Sequence, residues 1–319
     1  MKFWIGVDVG GTNIVCGAVD RDGRVLHTIK APTDAAAGSA AVLDKISDMC
    51  RQVAAELGST DELAAVGIGT PGLVDPRAGI SIYSTNLNWR NVPVAAEISA
   101  RLGVPVWIDN DVRNYVFGEA RYGAGRSFDT VLGLTVGTGI AAAIVRRGEL
   151  FYGHKAMAGE IGHGPREGID VPCSCGLTGC LEAVASASGM VREAKRLISQ
   201  GRDTVLTEWY PGERLADLAA ADLSRAMDTG DPLATEVVTR AGTLIGRALE
   251  PAVHLISPDV IIVGGGAAMA GERLLGPMRE ALFPRLLPDF RSELQIRTAE
   301  LHDDAGIIGS AMSAMARAR

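Results

Sequence analysis

Three thiols and one imidazole fall within a single short stretch, His163-x9-Cys173-x-Cys175-x4-Cys180. Four ligands of these types make a closed zinc site with no open position, so a bound ion there would be structural. Gly176 and Gly179 allow the chain to fold back around such an ion. The simpler alternative is a set of buried free thiols. Glu160 lies three residues before His163, and Glu182 lies two after Cys180. A metal would therefore fix two carboxylates able to accept hydrogen bonds from hydroxyl groups such as those of a sugar. His163 could bind metal through one ring nitrogen and a hydroxyl through the other. Taken singly, either glutamate reads as a surface residue.

A second group of residues suits phosphate. Asp8-x-Gly10-Gly11-Thr12-Asn13 places a carboxylate at the end of an apolar run, beside a glycine turn. Glycines let backbone approach a phosphate closely, while free N–H groups and the Thr12 hydroxyl can bond its oxygens. Asp8 could then hold magnesium, directly or through water. Gly137-Thr138-Gly139 repeats the pattern, and both turns also read as ordinary hairpin turns. None of the five lysines follows a glycine, so no Gly-Lys-Ser/Thr phosphate loop is present. Gly264-Gly265-Gly266 follows an apolar run but lacks dinucleotide-site spacing, and would better accommodate a flat adenine or ribose against backbone. Asn110-Asp111 ends another apolar run, where open α/β sheets place ligands. A carboxylate there can take the proton of an alcohol attacking phosphorus. The competing reading is a helix cap, by Asp109 or Asp111, on residues 112–122.

The elements that must position these groups follow from periodicity. Residues 3–9, 14–19 and 24–26 read as a β-meander, residues 38–57 carry helical spacing, and 65–69 and 104–108 read as strands. Helices are expected over 95–102, 186–199, 232–255 and 305–316, with a strand over 260–263. Strand–Gly/Thr turn–strand recurs at 131–145, which suggests a weak internal duplication. Residues 201–212, with Trp209 and Tyr210, read as a surface excursion. Alternating strands and helices place the chain in the α/β class.

Composition limits the function classes. The 319 residues are 47% hydrophobic and 22% charged, which suits a large folded core rather than a disordered chain. A net charge of −7 argues against general nucleic-acid binding, though not against binding ATP. No apolar stretch is long enough to span a membrane, and the N-terminus is wrong for a secretory signal. Five cysteines, three of them clustered, fit metal ligation in a reducing compartment, so a cytoplasmic protein is expected.

Taken together, the motifs resemble the ROK family of repressors and sugar kinases, and within it the bacterial glucokinases. The likeness rests on the Asp8–Asn13 turn, Gly67-Ile68-Gly69-Thr70-Pro71-Gly72, Asn86-Leu87-x-Trp89, Asn110-Asp111 and Gly137–Ile140. It continues through Ala158-Gly159-Glu160-Ile161-Gly162-His163, the cysteine loop to Glu182, Pro258–Gly266 and Asp304-Ala305-Gly306. The resemblance implies an actin/hexokinase-like (ribonuclease H-like) fold of two α/β domains, residues 1–117 plus 299–319 and residues 118–298, closing on a cleft. It implies ATP-dependent phosphorylation of a hexose, glucose first, at the 6-hydroxyl, with Asp111 as general base. Gly72, Asn86, Asn110, Asp111, Glu160, His163 and Glu182 would meet the sugar. Asp8, Gly10, Gly11, Thr12, Asn13, Gly137, Thr138 and Gly139 would serve magnesium and phosphates, and Gly264, Gly265 and Gly266 the adenosine. His163, Cys173, Cys175 and Cys180 would bind zinc, and a homodimer or higher homo-oligomer is implied.

Two departures from the family pattern stand out. Val112-Arg113 replaces the usual Ala-Asn after Asn-Asp, and Ala141-Ala142-Ala143 stands where glycines are common. The competing classes are another hexose or acetamido-hexose kinase, a sugar-responsive repressor, and a catalytically silent sugar binder. With the phosphate strand beginning at Phe3, no preceding DNA-binding domain is expected, and Asp8, Thr12, Asp111 and Thr138 are all present. The kinase is the expected reading.

Overall fold

In the computed structural model, which describes residues 2–58 and 62–318, the chain opens as a meander of β1 (Phe3–Val9), β2 (Asn13–Val19) and β3 (Val25–Pro32). Helix α1 (Ser39–Glu56) follows, turning Val42, Leu43, Ile46, Met49 and Val53 inward as their helical spacing requires. Strand β4 (Leu63–Thr70) then leads into three short strands, β5 (Leu73–Asp75), β6 (Ile80–Ser84) and β7 (Trp89–Val92), which form a small sheet of their own. Helix α2 (Val94–Leu102), strand β8 (Val106–Asn110) and helix α3 (Asp111–Tyr122) complete this part.

The next segments are β9 (Thr130–Val136), β10 (Ile140–Arg146) and β11 (Glu149–Leu150), then, beyond the cysteine loop, α4 (Leu181–Ala185) and α5 (Ala187–Ser199). Helices α6 (Leu206–Trp209), α7 (Ala220–Asp228) and α8 (Pro232–Ile256) precede β12 (Val260–Gly264) and α9 (Glu272–Leu282). The chain closes with α10 (Pro288–Glu293), β13 (Gln295–Thr298) and α11 (Ala305–Arg317). The segment expected as a surface excursion, 201–212, is largely exposed, with Leu206 buried as its anchor. Among the described residues no helix is long and apolar enough to cross a membrane.

Two five-stranded sheets carry the architecture, ordered β3-β2-β1-β4-β8 and β11-β10-β9-β12-β13. In each, three chain-consecutive strands run out from the centre on one side and two later strands join on the other. Strand β4 is parallel to β1 and β8, and β12 is parallel to β9 and β13. The repeated strand–turn–strand pattern in the sequence therefore marks a repeated sheet.

The chain forms two compact units, Met1–Asp129 with Ala143–Ala158 and Glu300–Arg319, and Thr130–Ala142 with Gly159–Ala299. This differs from the division expected at residue 117, which would cut α3. Helix α3 packs along α11, so both belong whole to the first unit. Helix α11 itself lies directly on backbone. A Cβ on Gly6 would stand 1.8 Å from the Ile307 carbonyl oxygen, and one on Gly67 1.8 Å from that of Ser310. Only glycine at these strand positions admits the helix, and the small residues of α11 complete the fit. The first unit's core is continuous, built from Ile5, Val7, Ile14, Ile46, Ile68, Ile98, Ile108 and their neighbours.

Candidate active site

In the first unit, the C-terminal ends of β1, β4 and β8 bring the β1–β2 turn and the Asn-Asp pair to one edge of the sheet. The β1–β2 turn is closed by a hydrogen bond from Gly10 N to Asn13 O at 2.9 Å. It is braced by buried Thr33, whose hydroxyl donates to Gly10 O at 2.7 Å and whose amide donates to Thr12 O. Gly11 and Thr12 stay exposed, and a Cβ on Gly11 would come within 3.2 Å of Asn86 Cβ. Asn86 is exposed on a turn held down by the buried Leu87 and Trp89.

Asn110, not Asp109 or Asp111, caps α3, its side chain accepting from Arg113 N at 3.2 Å. That corrects the capping alternative and leaves the Asp111 carboxylate outside the cap, where it accepts the adjacent Val112 N–H at 2.9 Å and is also hydrogen-bonded by the Asn110 side chain. Asn110 Nδ2 in turn donates to Gly72 O at 3.1 Å. Gly72 has a φ of 94°, and a side chain there would run into the Tyr83 carbonyl. Gly72 thus acts by holding Asn110.

Burial raises the Asp111 pKa above the ordinary carboxylate value, against the opposing Val112 amide. Burial, and then the neighbouring Asp111 charge, push Asp8 up to about 7. Two acids that resist ionising side by side form the hard-oxygen arrangement that a divalent cation relieves, so these residues fit magnesium.

Sequence reasoning missed what lies behind this pair. Asp109 is buried and accepts from Arg113 Nε at 2.6 Å, from the Tyr152 hydroxyl at 2.6 Å and from Arg317 at 3.0 Å. Arg113 Nη1 also donates to Ala156 O at 2.8 Å. Arg113, one of the departures from the family pattern, is thus committed to a buried network that locks the Asn110-Asp111 turn from beneath. Only the i, i+4 spacing of Asp109 and Arg113 hinted at it.

In the second unit, the ligand atoms of His163, Cys173, Cys175 and Cys180 all lie within 4.8 Å of one another. Cys175 and Cys180 Sγ are 3.6 Å apart, and Cys173 Sγ is 3.8 Å from His163 Nδ1. Ligands about 2.3 Å from a tetrahedral zinc stand about 3.8 Å from each other. The set therefore fits zinc. The other ring nitrogen, Nε2, faces Glu160 at 3.8 Å.

The Glu160–His163 segment is set against β10 by its own glycines. A Cβ on Gly159 would stand 1.9 Å from Ala142 O, and one on Gly162 2.1 Å from Ile140 O. The close packing here is thus provided by glycines on the facing segment, which rest on the backbone of Ile140 and Ala142. Glu182 accepts from Ile140 N at 3.0 Å, and a Cβ on Gly139 would meet its Oε2 at 2.5 Å. The Gly137–Gly139 turn, tied by Ala187 N to Gly137 O, and the glutamate are thus one assembly, with Thr138 exposed at its tip.

The three glycines that end and follow β12 do not act alike. Gly264 is a strand residue paired with Thr135, and Gly265 turns at a φ of 83° against Val136. Only Gly266 borders a cavity of about 310 Å³, whose walls include Met190, Ser224, Arg225, Val238 and Leu274. Its largely apolar lining with a few polar groups suits a flat heterocycle.

Comparison with known proteins agrees with this geometry. The chain is 35% identical to the glucokinase of Thermotoga maritima, over 96% of its own length and 95% of that protein's. It is 33% identical to the glucokinase of Halalkalibacterium halodurans, over 97% and 93%. A ROK family glucokinase from Streptomyces griseus, solved in complex with glucose and AMPPNP, superposes with a TM-score of 0.85 at 32% identity. The match covers 98% of this chain and 99% of that one. The fold is accordingly the actin/hexokinase-like one. With the ROK family model matching residues 4–317, every turn and ligand described above falls inside the match, and the chain belongs to the ROK family.

Proposed function

We propose that this protein transfers the γ-phosphoryl group of ATP to the 6-hydroxyl of a hexose, with glucose the first substrate. The observation that carries the reading is the uncapped, pKa-raised Asp111 carboxylate beside Asp8 at the strand ends, in a chain similar throughout to glucokinases. Asp111 takes the hydroxyl proton as the sugar oxygen bonds to phosphorus and the bond to the departing ADP oxygen breaks. Asn110, Asn86, Gly72, Glu160, His163 and Glu182 orient the sugar. The Gly10–Asn13 and Gly137–Gly139 turns hold phosphates, and the cavity at Gly266 takes the adenosine. Asp8 would hold magnesium, which neutralises phosphate charge when bound. The His163–Cys180 ligand set would hold zinc, whose role is to fix Glu160 and Glu182. The resemblance further implies a homodimer or higher homo-oligomer, and the clustered cysteines fit a reducing compartment.

The test is ADP release by the zinc-loaded protein, with ATP and magnesium, across hexoses and acetamido-hexoses. Sugar-dependent turnover greatest with glucose is the expected result, and no turnover with any sugar would overturn the reading. A finer prediction concerns Gly139→Ala. The added methyl displaces Glu182 and breaks its bond to Ile140 N, so KM for the sugar should rise about tenfold, the cost of a lost charged hydrogen bond. An unchanged sugar KM would take Glu182 out of the sugar site.

A further inference from the structure

The segment between α5 and α7 has no part in the chemistry above, yet it is firmly built. Asp231, itself buried, caps α8 through Ala234 N and also accepts from Val205 N at 2.8 Å. That anchors the start of α6, with Leu206 fully buried beneath it. At the end of α6, the Trp209 ring stacks on the Arg225 guanidinium, 4.2 Å from ring centroid to Cζ. Arg225 is also paired with Asp222 at 3.2 Å, and Asp222 is fixed by accepting from Ala219 N at 3.0 Å.

Arg225 is at the same time part of the wall of the cavity beside Gly266. The other polar side chains there, Ser224 and Asp228, are both engaged by Arg273. A stacked guanidinium keeps a flat cationic face in a fixed plane, which a lysine or an unsupported arginine does not. We propose that Trp209 is a positioning residue for nucleotide binding: by stacking on Arg225 it fixes the guanidinium at the cavity wall, where it meets the base of the phosphoryl donor. This rests on reading the cavity as the adenosine site. The base, rather than a phosphate, is the group concerned, because the cavity walls are mainly apolar and the glycine turn that suits phosphates is Gly137–Gly139.

The experiment measures KM for ATP, KM for the sugar and kcat in Trp209→Ala, Trp209→Phe, Arg225→Ala and the double alanine variant. Inhibition by inorganic tripolyphosphate, which has no base, is measured alongside. Trp209→Ala should raise KM for ATP about three- to tenfold, the range for losing one cation–π contact. The sugar KM, kcat and tripolyphosphate inhibition should stay unchanged, and Trp209→Phe should recover most of the loss. Because Trp209 acts through Arg225, the double variant should be no worse than Arg225→Ala.

An unchanged KM for ATP in Trp209→Ala, multiplying effects in the double variant, or an equal loss of tripolyphosphate inhibition would each overturn the proposal. Ala221→Trp, at an exposed position on the cavity rim, separates the two levels of the argument. If it raises KM for ATP while Trp209→Ala does not, the role of Trp209 alone fails. If neither does, the base lies elsewhere and the cavity assignment fails with it.

Discussion

Replacing Asp111 by Asn is expected to lower kcat by about 10²- to 10⁴-fold, the usual contribution of a positioned general base. Equilibrium binding of the sugar should change little. The substitution keeps the side chain's size, and the cap of α3 survives because Asn110 provides it. The Asp109–Arg113–Tyr152–Arg317 network beneath the turn is also untouched. Thermal melts and sugar titrations on the variant check that only chemistry is lost, and near-normal turnover would remove Asp111 from the mechanism.

The same carboxylates set a pH dependence. Burial raises Asp111, and burial with the Asp111 charge raises Asp8 to about 7. As a general base Asp111 would work deprotonated, so kcat/KM should fall as pH drops, along a limb above the ordinary carboxylate range that belongs to the pair jointly. Stability moves the other way. From the ordinary value of 3.8 up to about 7, the folded chain holds a proton at Asp8 that the unfolded chain has released. The stability associated with Asp8 is therefore fully present below that window and is lost as pH rises through it.

The second large effect is loss of the metal. Cys175 is exposed, so Cys175→Ser removes a ligand without disturbing packing. Bound zinc should fall from one ion per chain to almost none by metal analysis. Structural zinc contributes about 10–16 kcal/mol to small zinc domains, and residues 163–180 include few core side chains to hold them otherwise. That loop should therefore become protease-sensitive. Since His163 and Cys180 adjoin the segments carrying Glu160 and Glu182, kcat/KM should drop about 100-fold or more. Chelation of the unmodified protein should reproduce the loss and added zinc reverse it. Full activity in a metal-free protein would sever zinc from catalysis.

Much of this was legible in the chain itself. The period of apolar residues located α1, α5, α8 and the central strands, because each buries one face against a core and must repeat with the geometry of its backbone. The short strands β5–β7 escaped, since three to five residues leave too little periodicity to read. Ligand sets confined to one loop, such as His163 to Cys180, and turns such as Gly10–Asn13 announce themselves by spacing, because their geometry is local.

Which residue caps α3 was not local. Asp109, Asn110 and Asp111 all suit the role, and pairing of Asn110 with Thr70 across the sheet sets where β8 ends. Trp209 likewise had no readable purpose until folding brought Arg225 onto its ring. By itself the sequence determined the recurring strand–turn–strand units and singled out a candidate metal-ligand set and a candidate base. Tertiary structure alone decided that Arg113 faces inward, for its partner Asp109 is shared with Tyr152 and Arg317, 43 and 208 residues further along. A buried charge must find its partners wherever packing places them, and no local pattern encodes that distance.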